Sequence, residues 1–156
     1  MSLTLRVNGV SHDVDAEPWE SLLFVLRERL ALYATKNACE EGECGSCSVL
    51  MDSQLVCACL VMVFQAEGGD IRTLEGLSED PVAIAVQEAL VACGGVQCGF
   101  CTPGFVVAAC ALLAEEPHPT ESQVREHLSG NLCRCTGYGK IVEAVQDALP
   151  AGERRP

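Results

Sequence analysis

Hydrophobic positions along the chain follow two rhythms. Leu3, Leu5 and Val7 alternate with polar residues, Asn8-Gly9 interrupts, and Val10, His12 and Val14 carry the second run. A period of two marks strands with one buried face, and Asn-Gly between two such runs is a strong hairpin signal. From Trp19 to Leu30 the spacing becomes helical and predicts a short amphipathic helix. Residues 36–48 form a loop rich in glycine and cysteine. Strand-like runs return at 48–51 and 55–63, with Asp52-Ser53 as the turn between them, and a last short strand is expected near 71–74. Strands with one helix lying across them predict a small α+β unit, with Trp19 and Phe24 filling its core.

Beyond residue 80 the rhythm is helical. Asp80-Pro81 reads as an N-cap followed by proline at the first helical position, leading into VAIAVQEALVAC. Thr102-Pro103 repeats the device before GFVVAACALLAEE. Thr120 with Gln123 reads as a capping box for a helix over about 121–128, and 138–149 supplies a fourth. Four short helices make a small bundle.

Composition narrows the field. At 156 residues there is room for one ordinary domain or two small ones. The formal net charge is −12, which argues against nucleic acid and anionic lipid as partners. Residues 1–80 hold 14 acidic and 5 basic side chains, whereas 81–156 hold 8 and 5, so the acidity is concentrated in the first half. The final AGERRP reads as a flexible tail.

Eleven cysteines change the picture most. An oxidising compartment would pair them as disulfides, and a reducing one keeps them as thiols for metal. The N-terminal MSLTLRVNGVSHDVD has neither a basic nor an apolar leader region, and no apolar run approaches the ~20 residues of a membrane span. The expectation is a cytoplasmic chain with reduced or metal-bound cysteines.

The first cysteine group is Cys39-Glu-Glu-Gly-Glu-Cys44-Gly-Ser-Cys47, with Cys57 and Cys59 further on. The C-x4-C-x2-C spacing is that of plant-type [2Fe–2S] ligation. Two tetrahedral irons bridged by sulfide need four thiolates from a loop that wraps them. Gly42 and Gly45 allow the backbone to approach and turn with positive φ. A zinc site would bring a second knuckle or histidines, which this group lacks. Cys57 and Cys59 would share one strand face, so spacing alone leaves the fourth ligand open between them.

The second group is Cys98-Gly-Phe-Cys101 with Cys133-Arg-Cys135. A C-x-C pair strains any single tetrahedral ion but suits a binuclear cluster served from two sides. Cys101 precedes a predicted helix start and Cys135 precedes Thr136-Gly-Tyr-Gly, where the helix dipole favours thiolate. A thioredoxin-like C-x-x-C would leave the C-x-C pair unexplained.

The segments KNACEEGECGSCSV, VCACL, VQCGFCTPG and LSGNLCRCTGYGKIVEAV resemble the iron–sulfur subunit of the molybdenum hydroxylases, the xanthine dehydrogenase and carbon monoxide dehydrogenase family. The resemblance runs from the first strand to Leu149. It implies an α+β chain: a plant ferredoxin-like β-grasp domain over 1–79, a four-helix [2Fe–2S]-binding domain over 80–150, and the tail 151–156. It implies one cluster on Cys39, Cys44, Cys47 and Cys59, choosing Cys59 over Cys57, and another on Cys98, Cys101, Cys133 and Cys135. It further implies that Gln97 hydrogen-bonds the pterin of a molybdenum cofactor in a large subunit, with Cys135 beside the same pterin. Electrons would then leave for FAD in a medium subunit, in a dimer of heterotrimers. No residue of this chain is expected to be catalytic. The wording of the motifs leans towards xanthine dehydrogenase-like members over a carbon monoxide dehydrogenase-type small subunit. A stand-alone ferredoxin or a zinc-binding interaction module are readings of other classes; the ferredoxin would leave Gln97 and the helical half without a role.

Other residues invite plainer readings. Cys93 and Cys110 are expected as small core residues on helices. Cys57 is expected as a buried strand residue, and His12, His118 and His127 as surface or satisfied histidines. Glu40, Glu41 and Glu43 form either a docking face or a solvated loop. Lys36 and Arg134 stand near the cysteines, as tuning charges or salt-bridge partners.

Overall fold

A computed structural model describes residues 1–148. Asn8 and Gly9 both take positive φ, 53° and 79°, and close the expected two-residue turn. The turn joins β1 (Ser2–Val7) to β2 (Val10–Asp15), antiparallel with Val7 opposite Val10. Leu3, Leu5, Val7 and Val14 are buried while Val10 stands exposed at the turn. β3 (Ser48–Met51) and β4 (Gln54–Cys57) form a second hairpin, turned by Asp52 and Ser53 at φ 50° and 67°. β5 (Asp70–Arg72) lies parallel to β1 and antiparallel to β3, giving the sheet order β2-β1-β5-β3-β4. A strand inserted between two hairpins, with a helix over one face, is the expected β-grasp arrangement.

Four expectations for this half need correction. The helix over 19–30 begins only at α1 (Leu22–Phe24) and continues as a π-helical turn, Val25–Arg29. Leu22, Leu23, Val25 and Leu26 already cover the sheet, so Trp19 (71% exposed) and Phe24 (44%) lie outside the core. The run 55–63 does not continue as one strand. β4 stops at Cys57, Leu60 N–H donates to the Cys57 carbonyl (2.9 Å), and Val63–Ala66 is a 3-10 turn. The backbone of 58–61 instead meets the start of α1, accepting from Leu23 N–H at Ala58 and from Leu22 N–H at Val61. The last strand ends at Arg72, and Leu74–Leu77 is a 3-10 turn.

The second half contains α2 (Pro81–Ala92), α3 (Thr102–Glu115), α4 (Glu121–His127) and α5 (Gly139–Asp147). Asp80 caps α2, accepting from Val82 and Ala83 N–H (2.8 and 3.1 Å), and Thr120 and Gln123 cap α4 reciprocally. The N-cap of α3 is Cys101 rather than Thr102, with no side-chain cap bond, so proline falls at the second helical position. Tyr138, at φ 72°, precedes α5 instead of opening it. Leu149, Pro150 and the tail 151–156 lie outside the described residues.

Two apolar cores result. One is built from β1, β2, β3, β5 and α1, and the other from α2–α5. α3 is buried from Gly104 to Leu113 without interruption, the pattern of a helix packed on all sides. It lies against α2, α4 and β3, and Leu50, Leu55 and Leu74 extend the helical core into the sheet half. Among the described residues no helix is long and apolar enough to cross a membrane.

Candidate metal centres

No disulfide joins the eleven cysteines, all of which fall among the described residues. Nine of them gather in two sets, with Cys93 and Cys110 apart. Cys39 and Cys44 interact directly, Cys47 meets both Cys57 and Cys59, and Cys57 and Cys59 in turn feel Cys39. The loop backbone is aimed at these sulfurs. Glu41 N–H donates to Cys39 Sγ at 3.4 Å, the amides of Cys44 and Glu43 also point at Cys39, that of Gly42 at Cys59, and that of Cys59 at Cys47. Amides that converge on sulfur stabilise the negative charge a metal-bound thiolate carries. They hold Cys39 down at about 7, with Glu41 N–H the leading cause. Burial pushes Cys59 up to about 12, and Cys47 is raised first by its hydrogen bond with Cys57 and then by burial. That same bond with Cys47 lowers Cys57.

Cys57 and Cys59 do not share a strand face, because one ends β4 and the other stands in the turn beyond it. Both still reach the loop. Cys57 Sγ lies 3.9 Å from the Gly42 carbonyl, so the cradle holds five thiols where spacing suggested four. Gly42 and Gly45 take the expected positive φ, 75° and 67°. A Cβ on Gly42 would overlap the Leu60 side chain.

In the second set Cys98 pairs with Cys135, and Cys101 with Cys133. Cys98 and Cys135 are exposed, and Cys101 and Cys133 partly buried. Cys101 stands at the start of α3, yet burial outweighs any help from the helix end and pushes its thiol up to about 12, with the bond to Cys133 adding to the rise. Burial also opposes ionisation of Cys133, but Thr136 overcomes it. Its hydroxyl donates to Cys133 Sγ at 3.1 Å, and the net shift is downward. Tyr138 braces the loop: its hydroxyl accepts from Cys133 N–H (3.2 Å) and its ring sits 6.5 Å from that of Phe105. Four sulfurs from two sides with open outer members suit a binuclear cluster better than one enclosed zinc. Gln97, just before Cys98, is exposed, as is Phe100.

The two sets are joined where sequence gave no warning. Leu132 N–H donates to the Cys44 carbonyl at 2.9 Å, so the residue before Cys133 is bonded to a member of the first set. Asn131, 4% exposed, bonds the Gly45 carbonyl at 3.0 Å. A Cβ on Gly45 would overlap the Gly130 carbonyl and the Asn131 amide, and one on Gly104 would overlap the Gly45 carbonyl. Gly45 therefore serves the contact between the two loops as well as the turn.

The remaining candidates resolve individually. Cys110 is buried inside α3, as expected, but Cys93 is the partly exposed C-cap of α2, 3.6 Å from Asp147. Glu40 bonds Asn37 within the loop (2.7 Å), while Glu41 and Glu43 are exposed. Lys36 donates to the Tyr33 carbonyl, and Arg134 is exposed. The histidines are half-buried and dispersed, and His127 Nε2 is buried with no hydrogen-bond partner.

Comparison with known proteins gives two adjoining matches. Residues 5–76 match the model of a 2Fe-2S iron-sulfur cluster binding domain, and residues 73–146 that of a [2Fe-2S] binding domain. The nicotinate dehydrogenase small FeS subunit of Eubacterium barkeri is 42% identical over 149 residues, covering 96% of this chain and 95% of the relative. The xanthine dehydrogenase iron-sulfur-binding subunit of Escherichia coli O157:H7 is 43% identical over 149 residues, 94% and 93% of the two chains. Among solved structures, quinoline 2-oxidoreductase from Pseudomonas putida 86 superposes with a TM-score of 0.88 at 42% identity, covering 94% of this chain and 91% of that one.

Proposed function

The chain belongs to the family of small iron–sulfur subunits of the molybdenum hydroxylases, and from that premise we propose which of its residues carry the electrons and what stands at either end. It is an electron-transfer subunit of an oxidoreductase, with two [2Fe–2S] centres as cofactors and large-subunit partners. In our reading Cys39, Cys44, Cys47 and Cys59 hold the first cluster, and Cys98, Cys101, Cys133 and Cys135 the second. A [2Fe–2S] cluster, when bound, takes up and gives back one electron at a time. Two in series let a chain of this size divide a two-electron oxidation into single steps.

The residues supply the rest. The amides of Glu41, Glu43 and Cys44 stabilise charge on Cys39, and Thr136 does the same for Cys133. Cys98 and Cys135, exposed, turn the second centre outward, and Gln97 beside them offers an amide to the pterin of a molybdopterin-binding large subunit. Cys39, Cys44, Cys47 and Cys59 would hold the cluster that serves an FAD-binding medium subunit. We place the assembly, a dimer of heterotrimers, in the cytoplasm. Its substrate is an N-heterocycle, purine or aldehyde, the first two classes being those in the names of the nicotinate, quinoline and xanthine relatives.

The observation that carries this reading is the direct bond between the loops, Leu132 N–H to the Cys44 carbonyl, which joins the two thiol sets in one route. The test is Gln97→Ala in the full complex. Iron content should stay unchanged while reduction of the second cluster by substrate slows about five- to 150-fold, the loss of one oriented polar contact being worth about 1–3 kcal/mol. Reduction at the wild-type rate would contradict the assignment of Gln97.

A further inference from the structure

Where the two cysteine loops meet, a buried side-chain amide adds a second join to the Leu132–Cys44 bond. Asn131 is 4% exposed, and burial of an amide is costly unless it is bonded. Its Nδ2 donates to the Gly45 carbonyl (3.0 Å) and to Ser48 Oγ (3.4 Å), across more than eighty residues of sequence. The Gly45 carbonyl also accepts from Ser48 N–H (3.1 Å) and Ser48 Oγ (2.6 Å), so the orientation of the peptide between Cys44 and Cys47 is held from both sides of the junction. The absence of side chains at Gly45 and Gly104 lets α3 close onto the same carbonyl. Three segments converge here: the loop of Cys44 and Cys47, the approach to Cys133, and the start of α3 just after Cys101.

We propose that Asn131 is the positioning residue that sets the separation of the two iron–sulfur centres, by locking the Gly45 peptide of one loop to the backbone entering the other. This rests on the ligand assignment above. Asn131 acts through the Gly45 carbonyl and through Leu132, its chain neighbour, whose N–H binds the Cys44 carbonyl. The Leu132 bond alone leaves the loop free to pivot about one contact, whereas two bonds from adjacent residues fix both distance and direction. A carboxylate in the same place has no proton to donate and would face the Gly45 oxygen with like charge.

The experiment compares wild-type holoprotein with Asn131→Asp, Asn131→Leu and Ser48→Ala. It measures iron and labile sulfide, and the distance between the two reduced clusters by pulsed EPR. Wild-type protein should give one narrow distance. Both Asn131 variants should keep wild-type iron and sulfide yet lose that single distance to a broad or displaced distribution. Ser48→Ala, which leaves the Asn131–Gly45 bond in place, should keep it. An unchanged narrow distance in the Asn131 variants overturns the proposal. So does loss of iron from both, which would mark a folding residue, and so does equal broadening in Ser48→Ala. Wild-type protein holding fewer than two clusters would instead refute the ligand assignment on which the proposal rests.

Discussion

Two cysteines separated by one residue show how far a sequence pattern carries and where it stops. Spacing left Cys57 and Cys59 equivalent on the assumption of a shared strand face, but the strand ends at Cys57 and both thiols reach Cys47 by different routes. Cys59, with the Gly42 amide aimed at it, is the proposed ligand. Cys59→Ser should abolish the EPR signal of the first cluster and lower iron from about four to about two per chain, while Cys57→Ser keeps both. The reverse result would transfer the ligand role to Cys57. At Gly45, positive φ and crowding by Gly130 and Asn131 act together, so Gly45→Ala should cost at least about 1 kcal/mol in thermal or denaturant unfolding. Cys110 gives a pH signature. Its buried thiol is pushed up to about 12 from an ordinary 9.0. The unfolded chain therefore ionises first, and stability falls as pH rises between those values, by at most about 1.4 kcal/mol per pH unit, with no effect below. Cys110→Ala should flatten that alkaline limb in unfolding measured across it.

Elements whose cause is local were legible. The Asn-Gly hairpin, the Asp52-Ser53 turn, the Asp80 cap and the Thr120–Gln123 box each depend on a few adjacent residues and stand where the sequence put them. Elements whose ends are set by distant contacts were not. β4 stops and α1 starts where their backbones bond each other, with Leu22 and Leu23 N–H donating to the Val61 and Ala58 carbonyls. Trp19 and Phe24 fit an apolar helical stripe on paper, yet no core remained for them to fill. The capping argument is open to test. Asp80→Ala removes the acceptor for two amides of α2 and should lower stability by about 1 kcal/mol, or roughly 2–4 °C in Tm, by calorimetry.

For the molecule as a whole, the two halves with their separate cores and the grouping of the cysteines followed from pattern and resemblance. The junction between them did not. In sequence Asn131 is one polar residue inside LSGNLCRCTGYGKIVEAV, and only the fold brings it onto Gly45. That junction brings the carbonyl of Cys44 within 2.9 Å of the amide of Leu132, the residue before Cys133. What the two thiol sets hold decides whether the chain carries electrons. Chemical analysis of the purified protein combined with EPR after full reduction should find about four irons and four labile sulfides per chain and two distinguishable paramagnetic signals. Zinc in place of iron with no labile sulfide, or a single signal from half that iron, would contradict it.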